Sequence, residues 1–212
     1  MKLTKFEQSG FVIETNEGKH LALDIGVFTA LERLEGLSAD AMIVSHMHSD
    51  HFSVPHIEKL APRKLYLSEE CGSLLPADFL GSEITKIASG EEIDILGIKT
   101  KIFEVDHGPN VSVKPKENFG FLFEVDGIKI YFGGDIFYPS GIDVGSLEVD
   151  IVLVPVGTFY TFGPREALEF VKKFNKIGKV IPMHYHKTLE TKDEFIRIGA
   201  EAGFNVVELD EK

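Results

Sequence analysis

The chain has 212 residues, 43% of them hydrophobic and 26% charged, enough for one substantial core and short for two independent ones. Its 34 acidic and 22 basic residues leave a formal charge of −12, which repels a phosphate backbone and disfavours bulk nucleic-acid binding. No stretch nears the roughly 20 apolar residues of a bilayer span, and the lone Cys71 excludes an internal disulfide, so one cytoplasmic domain over residues 1–212 is expected, with Cys71 a small buried hydrophobe.

In chain order, "FVIET" and "HLALDI" flank the turn "NEGK" and predict an antiparallel hairpin. "AMIVS" follows as a continuous apolar run, and "KLYL", "IVLVPV" and "KVIP" repeat the pattern further on, as expected of strands buried on both faces. A short helix is expected from Pro55 to Leu60. "FGFLFEV" and "IKIYF" flank Asp126-Gly127, a dipeptide suited to the positive φ angles of a tight hairpin. In "PREALEFVKKF", Ala167, Leu168, Val171 and Phe174 recur at helical spacing behind an initiating Pro164. "KDEFIRIGAEAG" is acidic at its start and meets Gly203 at its stop. Many strands with a few helices between them make a layered α/β domain.

The stretch "VSHMHSDHF" concentrates the chemistry. If "AMIVS" stays extended through its last residues, His46 and His48 project to one side, because strand side chains repeat every two residues. Asp50 and His51 would be re-aimed toward a neighbouring point as the chain turns. The alternative is a polar loop whose histidines face water. Two metal sites need further ligands, and His107 in "FEVDHGPN", Asp135 in "IYFGGDIF" and His184 in "KVIPMHYH" each follow an apolar run. Singly, His107 could be a surface residue and Asp135 an ordinary turn aspartate; together, at strand ends, they can be held to metal tolerances.

His46, His48, Asp50 and His51 match the H-x-H-x-D-H signature in full, and on it the chain is identified as a member of the metallo-β-lactamase superfamily over essentially its whole length. The resemblance implies a four-layered αββα sandwich with the metal site at one edge. It assigns His46, His48 and His107 to a first metal and Asp50, His51 and His184 to a second, with Asp135 bridging and Asp24 in "LALDIG" supporting the site from behind. The segment "VPVGTFYTFGPREAL" followed by "VIPMHY" is similar to small stand-alone hydrolases related to the ascorbate-phosphate lactonase group. Those relatives usually carry Gly-His-Ser near the N-terminus, whereas "EQSG" has Gln8 at the histidine position.

The resemblance also implies a hydrolase in which two divalent cations lower the pKa of a shared water from about 15.7 toward about 7. The attack falls on a small ester, lactone or phosphodiester, an anionic substrate included, with Asp50 and Asp135 as the catalytic carboxylates. Imidazole-rich coordination suits zinc, and a second site with two carboxylates also accepts manganese or iron. An iron-dependent oxidoreductase of the same fold and a non-catalytic metal-binding protein are the alternatives. The short span from Asp135 to His184 leaves no room for the inserted domain of large nucleases of this superfamily. Tyr160 and Thr161, just before the helix start at Gly163-Pro164, and His186, two residues beyond His184, are candidate substrate contacts, or in the case of Tyr160 simply aromatic packing. His20 and His56 read as solvated or capping residues.

Overall fold

The computed structural model describes residues 1–138, 143–186 and 188–212. Its first six strands, β1 (Lys2–Lys5), β2 (Phe11–Glu14), β3 (His20–Leu23), β4 (Ala41–Ile43), β5 (Lys64–Leu67) and β6 (Glu83–Lys86), form one sheet in sequence order. Then come β7 (Glu92–Ile95), β8 (Ile98–Glu104), β9 (Asp106–His107), β10 (Phe119–Val125), β11 (Ile128–Phe132), β12 (Ile136–Tyr138), β13 (Glu148–Pro155) and β14 (Lys176–Met183). The second sheet runs β14-β13-β11-β10-β8-β7, and β12 pairs with β9 in a small ribbon. Among the described residues the α-helices are α1 (Val54–Leu60), α2 (Glu69–Ser73), α3 (Pro164–Val171) and α4 (Leu189–Glu201).

Side-chain alternation sorts these elements into layers. Leu21 and Leu23 of β3 and Ala41 and Ile43 of β4 face Phe119, Phe121 and Phe123 of β10 and Ile151 and Leu153 of β13 in the core between the sheets. The residues between them point outward: Ala22, Met42, Leu65 and Leu67 pack with Ile57 and Leu60 of α1 and Cys71 of α2. On the far side Val152, Val154 and Val180 pack with Ala167, Phe170, Val171 and Phe195 of α3 and α4. The result is the expected αββα sandwich. Each large apolar side chain in it contributes on the order of 2 kcal/mol by leaving water.

Both predicted hairpins form, and Val125 pairs with Ile128 across Asp126 (φ 53) and Gly127 (φ 77). The apolar runs after the first hairpin sit in parallel pairings, β3 with β4, β4 with β5 and β13 with β14. Three boundaries differ from expectation. Strand β4 stops at Ile43 rather than running through Ser45. Helix α3 ends at Val171, although Phe174 still packs edge-on against Phe170 at 5.4 Å. Helix α4 begins at Leu189 and ends at Glu201, with Gly203 (φ +87) in the left-handed turn beyond it.

Candidate metal centre

The carboxyl ends of parallel strands are where open α/β sheets gather ligands, and five such ends converge here. Asp24 follows β3, the histidine loop follows β4, Asp135 follows β11, Gly157 follows β13 and His184 follows β14. Because β4 ends early, His46 and His48 lie in a turn-rich loop and not on an extended strand. Backbone anchors take over the strand's task. The amide of Val44 donates to the Tyr66 carbonyl at 3.0 Å, the Ser45 carbonyl accepts from the Phe119 amide of the other sheet at 3.1 Å, and the His48 carbonyl accepts from His51 and Phe52 at 2.9 and 2.8 Å. Two glycines permit the close approaches around this loop. A Cβ on Gly26 would lie 2.3 Å from the Asp50 carbonyl carbon, and one on Gly157 would lie 2.2 Å from the His184 carbonyl oxygen.

Donor atoms fall into two adjoining groups, His46–His48–His107 and Asp50–His51–Asp135–His184, each with its atoms within 4.8 Å of one another. Asp135 stands at their junction. Its Oδ2 lies 3.1 Å from His184 Nε2, 3.5 Å from His107 Nε2 and 4.0 Å from His46 Nε2, and its Oδ1 lies 3.2 Å from His51 Nε2. Asp50 Oδ2 is 3.3 Å from His184 Nε2 and 3.4 Å from His51 Nε2. His107 and Asp135 are both buried beside these donors and not on the surface.

Hydrogen bonds behind the cluster fix which ring nitrogen each histidine presents. His51 Nδ1 donates to Asp24 Oδ2 at 2.7 Å, leaving Nε2 to face the acids. Asp24, wholly buried, also accepts from the Ser45 amide at 2.7 Å and from the Ser45 hydroxyl. That hydroxyl oxygen is then free to accept from His46 Nδ1 at 3.0 Å. His48 is turned the other way: its Nε2 donates to the Val113 carbonyl at 2.8 Å, and its Nδ1 faces His46. Gln8, at the family's histidine position, donates through Nε2 to Asp50 Oδ2 at 3.3 Å, while its Oε1 accepts from the His186 amide at 2.9 Å. Its backbone carbonyl accepts from the His184 amide at 3.1 Å.

The electrostatics of the groups differ. Burial, reinforced by the nearby His51 charge, holds His46 well below the usual histidine range. Burial also pulls His51 down, but the charges of Asp135, Asp50 and Asp24 together outweigh it and hold the imidazole well above that range. Against the same burial penalty Asp135 and Asp50 raise His184 to about 9. Burial would push the two carboxyls up; His51 and His184 outweigh it and hold Asp50 and Asp135 below the ordinary carboxylate range.

His51 Nε2, His107 Nε2 and Asp135 Oδ1 are buried without an aligned hydrogen-bond partner. Leaving such a group unsatisfied costs about 1–3 kcal/mol, so converging donors that do not bond one another point to something between them. Imidazoles and carboxylates in these proportions fit divalent cations, and the cluster could hold metal ions.

A cleft of about 650 Å³ opens over the cluster, lined by Gln8, Phe28, Phe159, Tyr160 and His186 among others. Tyr160 and His186 therefore stand where a substrate could meet them. Thr161 does not: it is wholly buried, and its Oγ1 accepts from the Gly157 amide at 3.3 Å and donates to the Phe162 carbonyl at 3.4 Å. The α3 N-terminus is likewise absent from the described lining residues, so its backbone donors do not serve the cleft. His56 is buried rather than solvated, paired with Ser53 Oγ and the Thr29 carbonyl at 2.7 Å each. His20 sits half-buried in its hairpin, away from both donor groups. Cys71 is buried, and burial pushes its thiol up to about 12. Sequence reasoning missed Ser45, Phe28 and Phe159; no spacing marks them, since their roles arise only when separate loops meet.

A family model described as a beta-lactamase superfamily domain matches residues 2–184. A UPF0173 metal-dependent hydrolase of Pelotomaculum thermopropionicum is 30% identical over 202 residues, covering 88% of this chain and 85% of the relative. Among solved structures, Igni18, a metallo hydrolase from the hyperthermophilic archaeon Ignicoccus hospitalis, is similar at a TM-score of 0.79 and 22% identity, over 99% of this chain and 94% of that one. CmlA, a diiron β-hydroxylase from Streptomyces venezuelae, reaches 0.73 at 12% identity, over 99% of this chain and 52% of that one. Likeness at such identities speaks to the fold. No helix among the described residues is long and apolar enough to cross a membrane. The matched family model, together with a relative aligned over most of its length, makes this chain a member of the beta-lactamase superfamily, grouped with proteins named metal-dependent hydrolases.

Proposed function

We propose that this protein hydrolyses a small ester, lactone or phosphodiester at a dinuclear centre. The observation that carries the reading is the reach of Asp135, whose carboxylate lies 3.1 to 4.0 Å from imidazoles of both donor groups. His46, His48 and His107 would hold one cation and Asp50, His51 and His184 the other, with Asp135 touching both. When bound, such cations polarise the electrophile and acidify water at neutral pH. The chain's own residues do the rest. Asp24 and Ser45 keep His51 and His46 in the ligating tautomers, and Gln8 steadies Asp50, a residue of the cleft lining whose carboxylate would take a proton.

Zinc is the expected ion for the imidazole-only group, while the two carboxylates of the other also accept manganese or iron. An iron-dependent oxidation is the second reading, favoured by that mixed donor group and by the fold shared with a diiron β-hydroxylase. The open cleft beside the donors speaks against a purely structural metal site. The acidic, single-cysteine composition keeps the cytoplasm as the expected compartment. Zinc-loaded protein assayed on ester, lactone and phosphodiester panels should show turnover that chelation abolishes and zinc restores. Turnover that persists through both chelation and Asp135→Asn overturns the hydrolase reading, and oxygen consumption by iron-loaded protein selects the second.

A further inference from the structure

Most aromatic side chains of this protein are buried or half-buried. Among the described residues the aromatic side chains that stay exposed are Phe28, Phe159 and Tyr160, at 44%, 58% and 46%, and all three line the cleft over the donor cluster. They come from different sheets: Phe28 from the loop after β3, the other two from the loop after β13.

Both loops are held in place. Phe28 lies against the His186 ring, with centroids 4.4 Å apart at 32°. His186 Nδ1 is 3.3 Å from Glu7 Oε2, and Glu7 is paired with Arg33 at 2.9 Å. Phe159 and Tyr160 meet edge to face at 4.8 Å, and Asn110 Nδ2 donates to the Phe159 carbonyl at 2.7 Å. The Tyr160 carbonyl comes so near Gly108 that a Cβ there would lie 1.9 Å from its oxygen. Aromatic faces fixed in this way offer contact area at little entropic cost.

The charge of the walls matters equally. No lysine or arginine is among the described residues lining the cleft; its carboxylates, Asp50 and Asp135, and the imidazoles beside them belong to the donor cluster or its edge. Arg33, near the His186 side, is already paired with Glu7. Away from the donor cluster, no described lysine or arginine lines the cleft to replace the water that a carboxylate or terminal phosphate on a substrate would lose. A volume of about 650 Å³ suits a small molecule.

We infer that the substrate carries a flat, uncharged group beside its reacting bond, gripped by Phe28 and the Phe159–Tyr160 pair. The inference rests on the hydrolase reading only for where the reacting bond sits, and it replaces the anionic substrate as the expectation for the part remote from the metal donors.

The test is binding of non-hydrolysed probes to the zinc-loaded protein, followed by calorimetry and saturation-transfer NMR. The probes are 2-naphthamide, its 6-sulfonated analogue and cyclohexanecarboxamide. The expected order is 2-naphthamide first, with the sulfonated and cyclohexyl probes each at least tenfold weaker. Phe28→Ala and Tyr160→Ala should each raise the Kd for 2-naphthamide at least fivefold, at unchanged zinc content and thermal midpoint because both side chains face solvent. Equal affinity for the sulfonated probe, failure of 2-naphthamide to bind, or variants that bind like the parent would each overturn the inference and leave metal-dependent turnover untouched. Naphthamide binding by a protein without metal-dependent turnover would overturn the hydrolase reading alone.

Discussion

The two halves of the donor cluster touch, yet they are built on opposite principles. His46, His48 and His107 form an imidazole-only group, two of whose members lie two residues apart in one loop. Asp50, His51, Asp135 and His184 bring two carboxylates and two imidazoles from three separate segments. In the first, burial holds His46 low, so its ring is neutral and ready to ligate. In the second, the acids hold protons on His51 and His184, so an entering cation has to displace them. A site assembled mainly from one loop tolerates errors elsewhere in the fold, whereas a site assembled from three segments depends on the packing of both sheets.

Asp135→Asn should break both halves at once. Metal content should fall below one ion per chain by elemental analysis, and hydrolysis should drop by roughly 100- to 1000-fold, the scale seen when a preorganised electrostatic group is lost. Asp50→Asn separates the halves: the imidazole-only group keeps its ion and the content falls from two to about one, while His48→Ala gives the complementary loss. Asp24→Asn removes the acceptor that orients His51 and should weaken metal binding by about 10- to 100-fold in competition with a chromophoric chelator, with the imidazole-only group less affected. The smallest effect is expected from Gln8→Ala, which deletes the contacts to Asp50 and the His186 amide. A loss of about 1 kcal/mol in unfolding free energy, with metal content near normal, would mark Gln8 as a strut between loops; loss of the second ion instead would make it part of that half.

The local half is the more legible in the sequence. Three histidines in six positions announce a metal site, and the apolar runs before Asp135 and His184 place those residues at strand ends. The apolar run before His46 and His48 nonetheless suggests a continuing strand, and the chain uses a loop pinned to Tyr66 and Phe119. Spacing shows which residue types recur; it does not show which backbone groups will catch a loop. Thr161 fails as a candidate contact for the same reason, since its hydroxyl turns back into its own loop. The aromatic walls are half visible: Tyr160 stands out beside a helix start, but Phe28 joins it only through the packing of β3 against β4 and the return of the chain at His186.

Anomalous X-ray diffraction at the zinc edge, from crystals grown with zinc, would reveal whether Asp135 joins two ions. Two peaks per chain are expected, one bounded by His46, His48 and His107 and the other by Asp50, His51 and His184, with the Asp135 carboxylate in contact with both. A single peak, or two peaks with Asp135 turned away from either, would contradict the dinuclear centre.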